Sequence, residues 1–318
     1  MSVGGRVLLL HLGIVALLFA AQFVLPAYHH GAAARILVLA AFAVGYNVLF
    51  GYTGLLSLGH AMFFAAGLYG AGLSVFYLGF GAWGALGLGI LSGLLLAFLF
   101  GLVALRTGGV AFLIVTLMFA QACFLTTLYF NEITFGDQGF VISRQLGPLD
   151  LGLAQFPFAE PAVKYNMALA VFAACFAGSL LLVRSPLGRV LVAIRENEPR
   201  TRMLGYDTWR YKLLALVISG AMSAAAGATY ALLFSYVGST FASIQYSIYP
   251  LLWTLLGGLG TTIGPLLGTG LMYYLVDVSS GLTSAYLLIV GLALVVLVVW
   301  FPKGIMGALR ERWLPWLP

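Results

Sequence analysis

Long apolar runs of roughly 20 residues, the length that crosses about 30 Å of hydrocarbon as α-helix, alternate along this chain with short polar turns. They fall at about 7–26, 36–51, 60–79, 82–104, 110–130, 166–183 and 213–235. Two more surround the glycine-rich stretch 255–270, and a last one covers 284–301. The pattern predicts an all-α, polytopic membrane helical bundle of about ten transmembrane helices, forming a single domain over 1–318. Two polar stretches are long enough to be more than turns, 131–165 and 184–212.

Charge orients the bundle. The stretch 184–212 reads RSPLGRVLVAIRENEPRTRMLGYDTWRYK and holds seven of the fifteen basic residues, against Glu196, Glu198 and Asp207. A basic loop between spans is retained on the cytoplasmic side. The stretch 131–165 carries Glu132, Asp137, Asp150 and Glu160 against Arg144 and Lys164, so the same rule places it in the periplasm. Starting inside at Arg6, ten crossings satisfy both assignments and bring Lys303, Arg310 and Arg312 back inside, with both termini cytoplasmic. Spans eight and nine are the shortest; folded as a re-entrant pair they keep this parity with eight full crossings. The run from Val7 to about Pro26 exceeds the roughly 7–15 apolar residues of a signal-peptide core, so it is read as a retained helix.

Composition sets the class: 62% hydrophobic and 8% charged residues, with a mean hydropathy of +1.06, exclude a soluble globule, which carries about 25% charge. Lys164, Lys212 and Lys303 stand in no GxxxxGK[ST] string, so the chain is not itself a P-loop ATPase. No acidic or basic residue lies well within an expected span, Asp277 being near an outer end, which speaks against an ion-coupled carrier. Cys123 and Cys175 sit in separate apolar runs and suggest no disulfide framework. No nucleic-acid-binding patch is visible, and no catalytic residue, metal or cofactor is expected.

Two glycine-rich stretches interrupt the helical pattern. The first, GYTGLLSLGHAMFFAAGLYG at 51–70, sets Thr53, Ser57 and His60 among Gly51, Gly54 and Gly59. The second, LLGGLGTTIGPLLGTG at 255–270, contains Gly257, Gly258, Gly260, Gly264 and Pro265. Both read as broken segments whose freed backbone groups are met by protein or by a water-filled path. Close helix packing through small residues is the alternative. With Asn47 and Thr116, polar groups inside spans two and five, the expected translocation pathway is Asn47, Gly54, Ser57, Gly59, His60, Thr116, Gly257, Gly258, Gly260, Gly264 and Pro265. The basic loop predicts a short helix across the membrane face. Pro186 and Gly188 start it, Leu191, Val192 and Ile194 form an apolar stripe, Gly205 stops it, and Arg195–Pro199 project charge into the cytosol.

The run SPLGRVLVAIRENEPRTRMLGYDTWRYKLLALVISG resembles the cytoplasmic coupling loop of the inner-membrane permeases of branched-chain amino acid ABC importers. GLLSLGHAMF is similar to the GLLSLGHAAF-like string of LivM-type permeases rather than to the NFAHG-like string of their usual partner subunit. FLIVTLMFAQ resembles their FLIVTLAFGE-like segment, with Gln121 at a position often acidic there, and TFGDQGF and LGGLGTTIGPLLG resemble two further loops. The resemblance covers roughly 36–308. It implies a bacterial inner-membrane permease for branched-chain amino acids. Its partners would be a second, LivH-like permease, two cytosolic ATPase subunits and a periplasmic substrate-binding protein. A rigid element anchored between spans six and seven would pass the rotation of such a partner to both, so ATPase coupling is expected at Arg195, Glu196, Asn197, Glu198, Arg200, Leu204 and Gly205. A permease for urea, short amides or another small solute, or a passive channel subunit, remains the alternative.

Overall fold

The computed structural model describes residues 3–150, 155–301 and 303–313. Residues 151–154 of the expected periplasmic loop, and the ends 1–2 and 314–318 of the expected single domain, lie outside the described residues. The chain begins with α1 (Val3–Ala21), α2 (Ala27–Asn47), a π-helical turn (Val48–Tyr52), α3 (His60–Leu78), α4 (Ala82–Ala104) and α5 (Val110–Tyr129). A short α6 (Asn131–Thr134) and strands β1 (Phe140–Val141), β2 (Leu149–Asp150) and β3 (Gln155–Phe156) follow, then α7 (Pro161–Arg184), α8 (Pro186–Met203) and α9 (Thr208–Phe234). The last part is β4 (Tyr236–Val237), a 3₁₀ turn (Ser239–Ala242), α10 (Ile244–Gly257), α11 (Gly264–Leu282), α12 (Tyr286–Trp300) and α13 (Gly304–Arg312).

The fold is the expected helical membrane bundle. Among the described residues α2 with its π turn, α3, α4, α5, α7 and α9 are each long and apolar enough to cross a membrane. α2, α3 and α9 are the most buried of these and form its centre. There α3 and α9 approach so closely that a Cβ at Gly227 would overlap the Phe64 carbonyl, and one at Gly67 the Ala224 carbonyl. Such backbone proximity is how membrane helices gain dispersion contact when lipid is as apolar as leucine. At the end opposite the basic loop, β1 and β4 pair antiparallel, Phe140 facing Val237, and fasten the 131–165 segment to the chain leaving α9.

α10 is the short member. Its 14 residues rise about 21 Å, less than the hydrocarbon thickness, and irregular chain on both sides makes up the rest. The α10–α11 turn still reaches the basic end, since Gly258 touches Gly307 of α13 and Gly260 touches Arg195 of α8. The pair therefore extends between the two ends of the bundle instead of turning back halfway.

One sequence expectation needs correction. Span two was expected from 36, but α2 starts at Ala27 behind Pro26, which leaves Arg35 eight residues inside a membrane helix and not beside one. The polar look of YHHGAAAR conceals a good helix former: alanine has the highest helix propensity. Two of its polar side chains are also partnered, Tyr28 donating to Asp277 at 2.7 Å and His29 lying 3.1 Å from the Tyr274 hydroxyl. Arg35 thus lies within a span, against the expectation that no Asp, Glu, Lys or Arg does.

Candidate coupling loop and translocation site

The basic loop folds as two helices, not one. Ser185 caps the first half by accepting from the Gly188 N–H at 3.2 Å, and Leu191 and Ile194 bury its apolar stripe. At Asn197 the backbone leaves the helix (φ −160°, ψ 94°) and re-enters it at once. The Asn197 carboxamide oxygen accepts from the Arg200 N–H at 2.9 Å, and Pro199 sits in the first turn of the second half. Asparagine as N-cap with proline just inside is a helix-start signature, legible in ENEPR once one looks for a second start. Gly205, at φ +89°, ends that half in the left-handed region, as the sequence predicts.

Two of the charges expected to project outward turn inward. Arg195 donates from Nη1 to the Gly51 carbonyl at 2.5 Å and pairs with Glu196 at 2.7 Å. Its stem lies on Gly54, where a Cβ would stand 2.8 Å from Cγ, and its guanidinium lies 2.9 Å from where a Gly260 Cβ would be. This side chain therefore touches both glycine breaks. Glu198 accepts from Lys212 at 2.5 Å, Arg202 at 2.9 Å and Thr208 at 3.0 Å, fastening the second half to the start of α9. Glu196, Arg200, Met203, Leu204 and Gly205 remain exposed, with Tyr206 and Trp209 beside them. These apolar tip residues beyond Leu204 were missed in the sequence, although large apolar side chains in a basic loop are the signal. A cleft of about 760 Å³ lies between the two halves, lined by Leu187, Arg189, Val190, Thr201, Leu204 and Tyr211.

Burial alone would raise the Glu198 carboxyl, but the Lys212 bond and charge, the Thr208 bond and Arg202 outweigh it and hold it below the ordinary carboxylate range. A depressed folded value stabilises above the unfolded value and is lost as pH falls through the folded one. The anchorage of 198–212 is therefore expected to be constant from pH 8 to 5 and to weaken only in stronger acid. Amide exchange of this segment checks it, and Glu198→Gln should show faster exchange already at pH 7.

The nominated pathway residues are brought together, and mostly inside the bundle: all are buried but Gly54. Asn47 bridges the breaks, donating to the Thr261 carbonyl at 2.9 Å and accepting from the Gly260 N–H at 3.1 Å. The Ser57 hydroxyl accepts from the Gly59 N–H at 3.1 Å, while its carbonyl accepts from Tyr46 at 2.9 Å. His60 Nε2 lies 2.8 Å from the Ser219 hydroxyl, which itself donates to the Gly45 carbonyl at 2.6 Å. Thr116 accepts from the Leu58 N–H at 3.1 Å, and a Cβ at Gly59 would come within 2.6 Å of the Thr116 carbonyl. In the second break Gly257 packs on the Gly264 carbonyl, the Gly264 N–H donates to Thr261 at 3.2 Å, and Gly258 (φ +123°) and Gly260 (φ +67°) shape the turn before buried Pro265. His11 in α1, not singled out from the sequence, lies 2.6 Å from the Thr262 hydroxyl.

The freed backbone of each break is thus satisfied by protein, the first by Tyr46, Thr116, Arg195 and its own Ser57, the second by Asn47 and its own Thr261. Asn47→Leu would leave the Gly260 N–H and the Thr261 carbonyl buried without partners, at about 1–3 kcal/mol each. A fall in the thermal midpoint of the detergent-purified protein is expected, much larger than for Thr126→Val, whose hydroxyl only returns to its own helix. Equal midpoints would show that the Asn47 bridge contributes nothing.

The family described as "Branched-chain amino acid transport system / permease component" matches residues 30–299. The high-affinity branched-chain amino acid transport system permease proteins LivM of Salmonella typhimurium and Escherichia coli are each 30% identical over 287 residues, covering 85% of this chain and 68% of theirs. A shorter similarity, 31% over 108 residues, covers 32% of this chain and 31% of the autoinducer 2 import system permease protein LsrC of Photorhabdus laumondii. No solved structure matches significantly. Helical membrane bundle, glycine breaks and basic loop thus coincide with a match over most of the chain, which belongs to the branched-chain amino acid transport system permease family.

Proposed function

We propose that this chain is one of two permease subunits of an ATP-driven importer. It would carry branched-chain amino acids inward by alternating access, with a second, LivH-like permease, two cytosolic ATPase subunits and a periplasmic substrate-binding protein. The observation that carries the reading is the geometry of the basic loop, a two-part scaffold fixed to α9 by Glu198 and to both glycine breaks by Arg195. A rigid element so anchored passes the motion of a docked partner to the helices it joins, whereas a loose linker would not. In this reading the basic end faces the cytoplasm of a bacterial inner membrane, with both termini on that side. The tip residues Arg200, Met203, Leu204 and Gly205, with Tyr206 and Trp209 and the adjacent cleft, receive the ATPase subunit. Exposed Glu196 forms the polar edge of this contact, and Asn197 sets the angle between the halves.

The pathway residues take a different role from simple lining. Buried against one another, Asn47, Ser57, Gly59, His60, Thr116, Gly257, Gly258, Gly260, Gly264 and Pro265 form the hinge at which α2, α3 and α10 bend when the route opens, with Gly54 at its edge beside Arg195. The similar protein LsrC is named for an autoinducer 2 import system, which supports urea, short amides or another small solute as the second reading of the substrate.

The test is co-purification and uptake. The membrane-extracted chain is expected to bring an ATPase subunit with it, and liposomes holding the whole complex should take up leucine only with ATP and the binding protein. Flux that persists without ATP would replace this reading with a passive channel. Met203→Asp with Leu204→Asp places two charges on the tip without touching the Glu198 or Arg195 contacts. It is expected to cut ATPase co-purification at least tenfold while leaving membrane insertion intact, and retained co-purification would remove the tip from the interface.

A further inference from the structure

The displaced start of α2 leaves a cation where the family reading assigns nothing. Arg35 lies eight residues from the start of the helix, about 12 Å along it, and is exposed in a segment long and apolar enough to cross the membrane. An ionisable side chain at such a place is expensive, and its retention points to a ligand or a path. Among the described residues Arg35 makes no hydrogen bond or ion pair; its guanidinium carbon lies 4.8 Å from the centre of the Phe234 ring. An aromatic wall adjoins it. Tyr230 packs on Phe234 at 4.6 Å, Phe241 links Tyr230 and Tyr246 at 5.0 and 4.9 Å, and Tyr249 continues the row at 5.5 Å. Phe234 ends α9, so this wall stands at the end opposite the basic loop.

We infer that Arg35 and the Tyr230–Phe234–Tyr246 wall form the outward-side site that receives the transported amino acid. The guanidinium takes the carboxylate, and the aromatic faces take the aliphatic side chain. Guanidinium is the side-chain group whose planar fork matches a carboxylate with two parallel N–H···O bonds. Phe234 beneath it holds the cation without using those donors, since a cation–π contact engages the face of the ring. Tyr230 and Tyr246, neutral side chains of the same aromatic row, add ring surface without a charge that would compete with the ligand. This inference rests on the amino acid importer reading above and names the contact that reading lacks.

The experiment is leucine uptake by liposomes holding the complete complex, with the binding protein and ATP supplied, for the wild type, Arg35→Gln and Arg35→Lys. Arg35→Gln is expected to lower uptake at least tenfold while the complex still assembles, and Arg35→Lys to recover part of the loss because it restores the charge but not the fork. Excess leucinamide, which lacks the carboxylate, should inhibit wild-type uptake far less than excess unlabelled leucine does. Wild-type uptake by Arg35→Gln, or equal inhibition by leucinamide and leucine, would overturn the site while leaving the importer reading in place. A wild-type complex that takes up no branched-chain amino acid would overturn both.

Discussion

Gly268→Ala is expected to remove most folded protein from the membrane, at least tenfold by fluorescence-detected size exclusion after mild extraction. The added methyl would overlap the Trp253 carbonyl and lie 2.9 Å from the Gly257 nitrogen. These are backbone atoms of α10, and nothing there can rotate away. Overpacking a well-fitted site costs about 1–3 kcal/mol when side chains can shift; here a helix must shift, and with it the turn that touches Asn47, Arg195 and α13. Gly257→Ala, which meets the Gly264 carbonyl from the other side, should behave alike. Gly291→Ala in α12 is the control, with no atom within 4 Å of the new methyl, and it should be neutral or stabilising by up to about 1 kcal/mol through helix propensity. If Gly268→Ala and Gly291→Ala accumulate equally, the close approach of α10 and α11 is wrong.

Arg195→Gln should separate ATP hydrolysis from transport. The side chain bonds the Gly51 carbonyl and lies against Gly54 and Gly260, so losing it frees the first half of α8 from both breaks without touching the exposed tip. A hydrogen bond from a charged donor contributes about 1.5–3 kcal/mol, and tenfold in an equilibrium corresponds to about 1.4 kcal/mol. Uptake per ATP hydrolysed should therefore fall at least tenfold, with the ATPase subunit still bound. Glu196→Gln, removing only the exposed partner of Arg195, should alter coupling little. A wild-type ratio of uptake to hydrolysis in Arg195→Gln would return Arg195 to the role of a topology signal. Reversing the charges at Arg195 and Glu198 together would also unfasten the second half of α8, because Glu198 is held by three groups of its own loop and α9.

Why Arg195 faces inward could not be read from RENEP. A run of charged residues between spans signals a solvated loop, and only the partner at 51, 144 positions away, turns one of them toward the bundle. The same holds for Asn47, whose need for a partner was evident while the identity of that partner, the backbone of 260–261, was not. Arg35 shows the opposite failure. A boundary placed by hydropathy averages over His29, His30 and Arg35, and cannot detect that Ala-rich chain between them continues the helix once Asp277 and Tyr274 partner its polar groups.

What the sequence determined alone follows from local, additive physics. Apolar run length and helical backbone satisfaction fix the bundle; the imbalance of basic residues marks one loop; Pro186, Gly188 and Gly205 set the bounds of its helical region; and the glycine strings mark where helices break. What only the tertiary structure decided is which of these pieces meet. The two breaks lie against each other and under Arg195, and α10 is a short helix with irregular chain on both sides. Glycine supplies no side chain whose chemistry names a partner. It permits close approach equally to lipid, helix or loop, and long-range packing settles which surface takes the place.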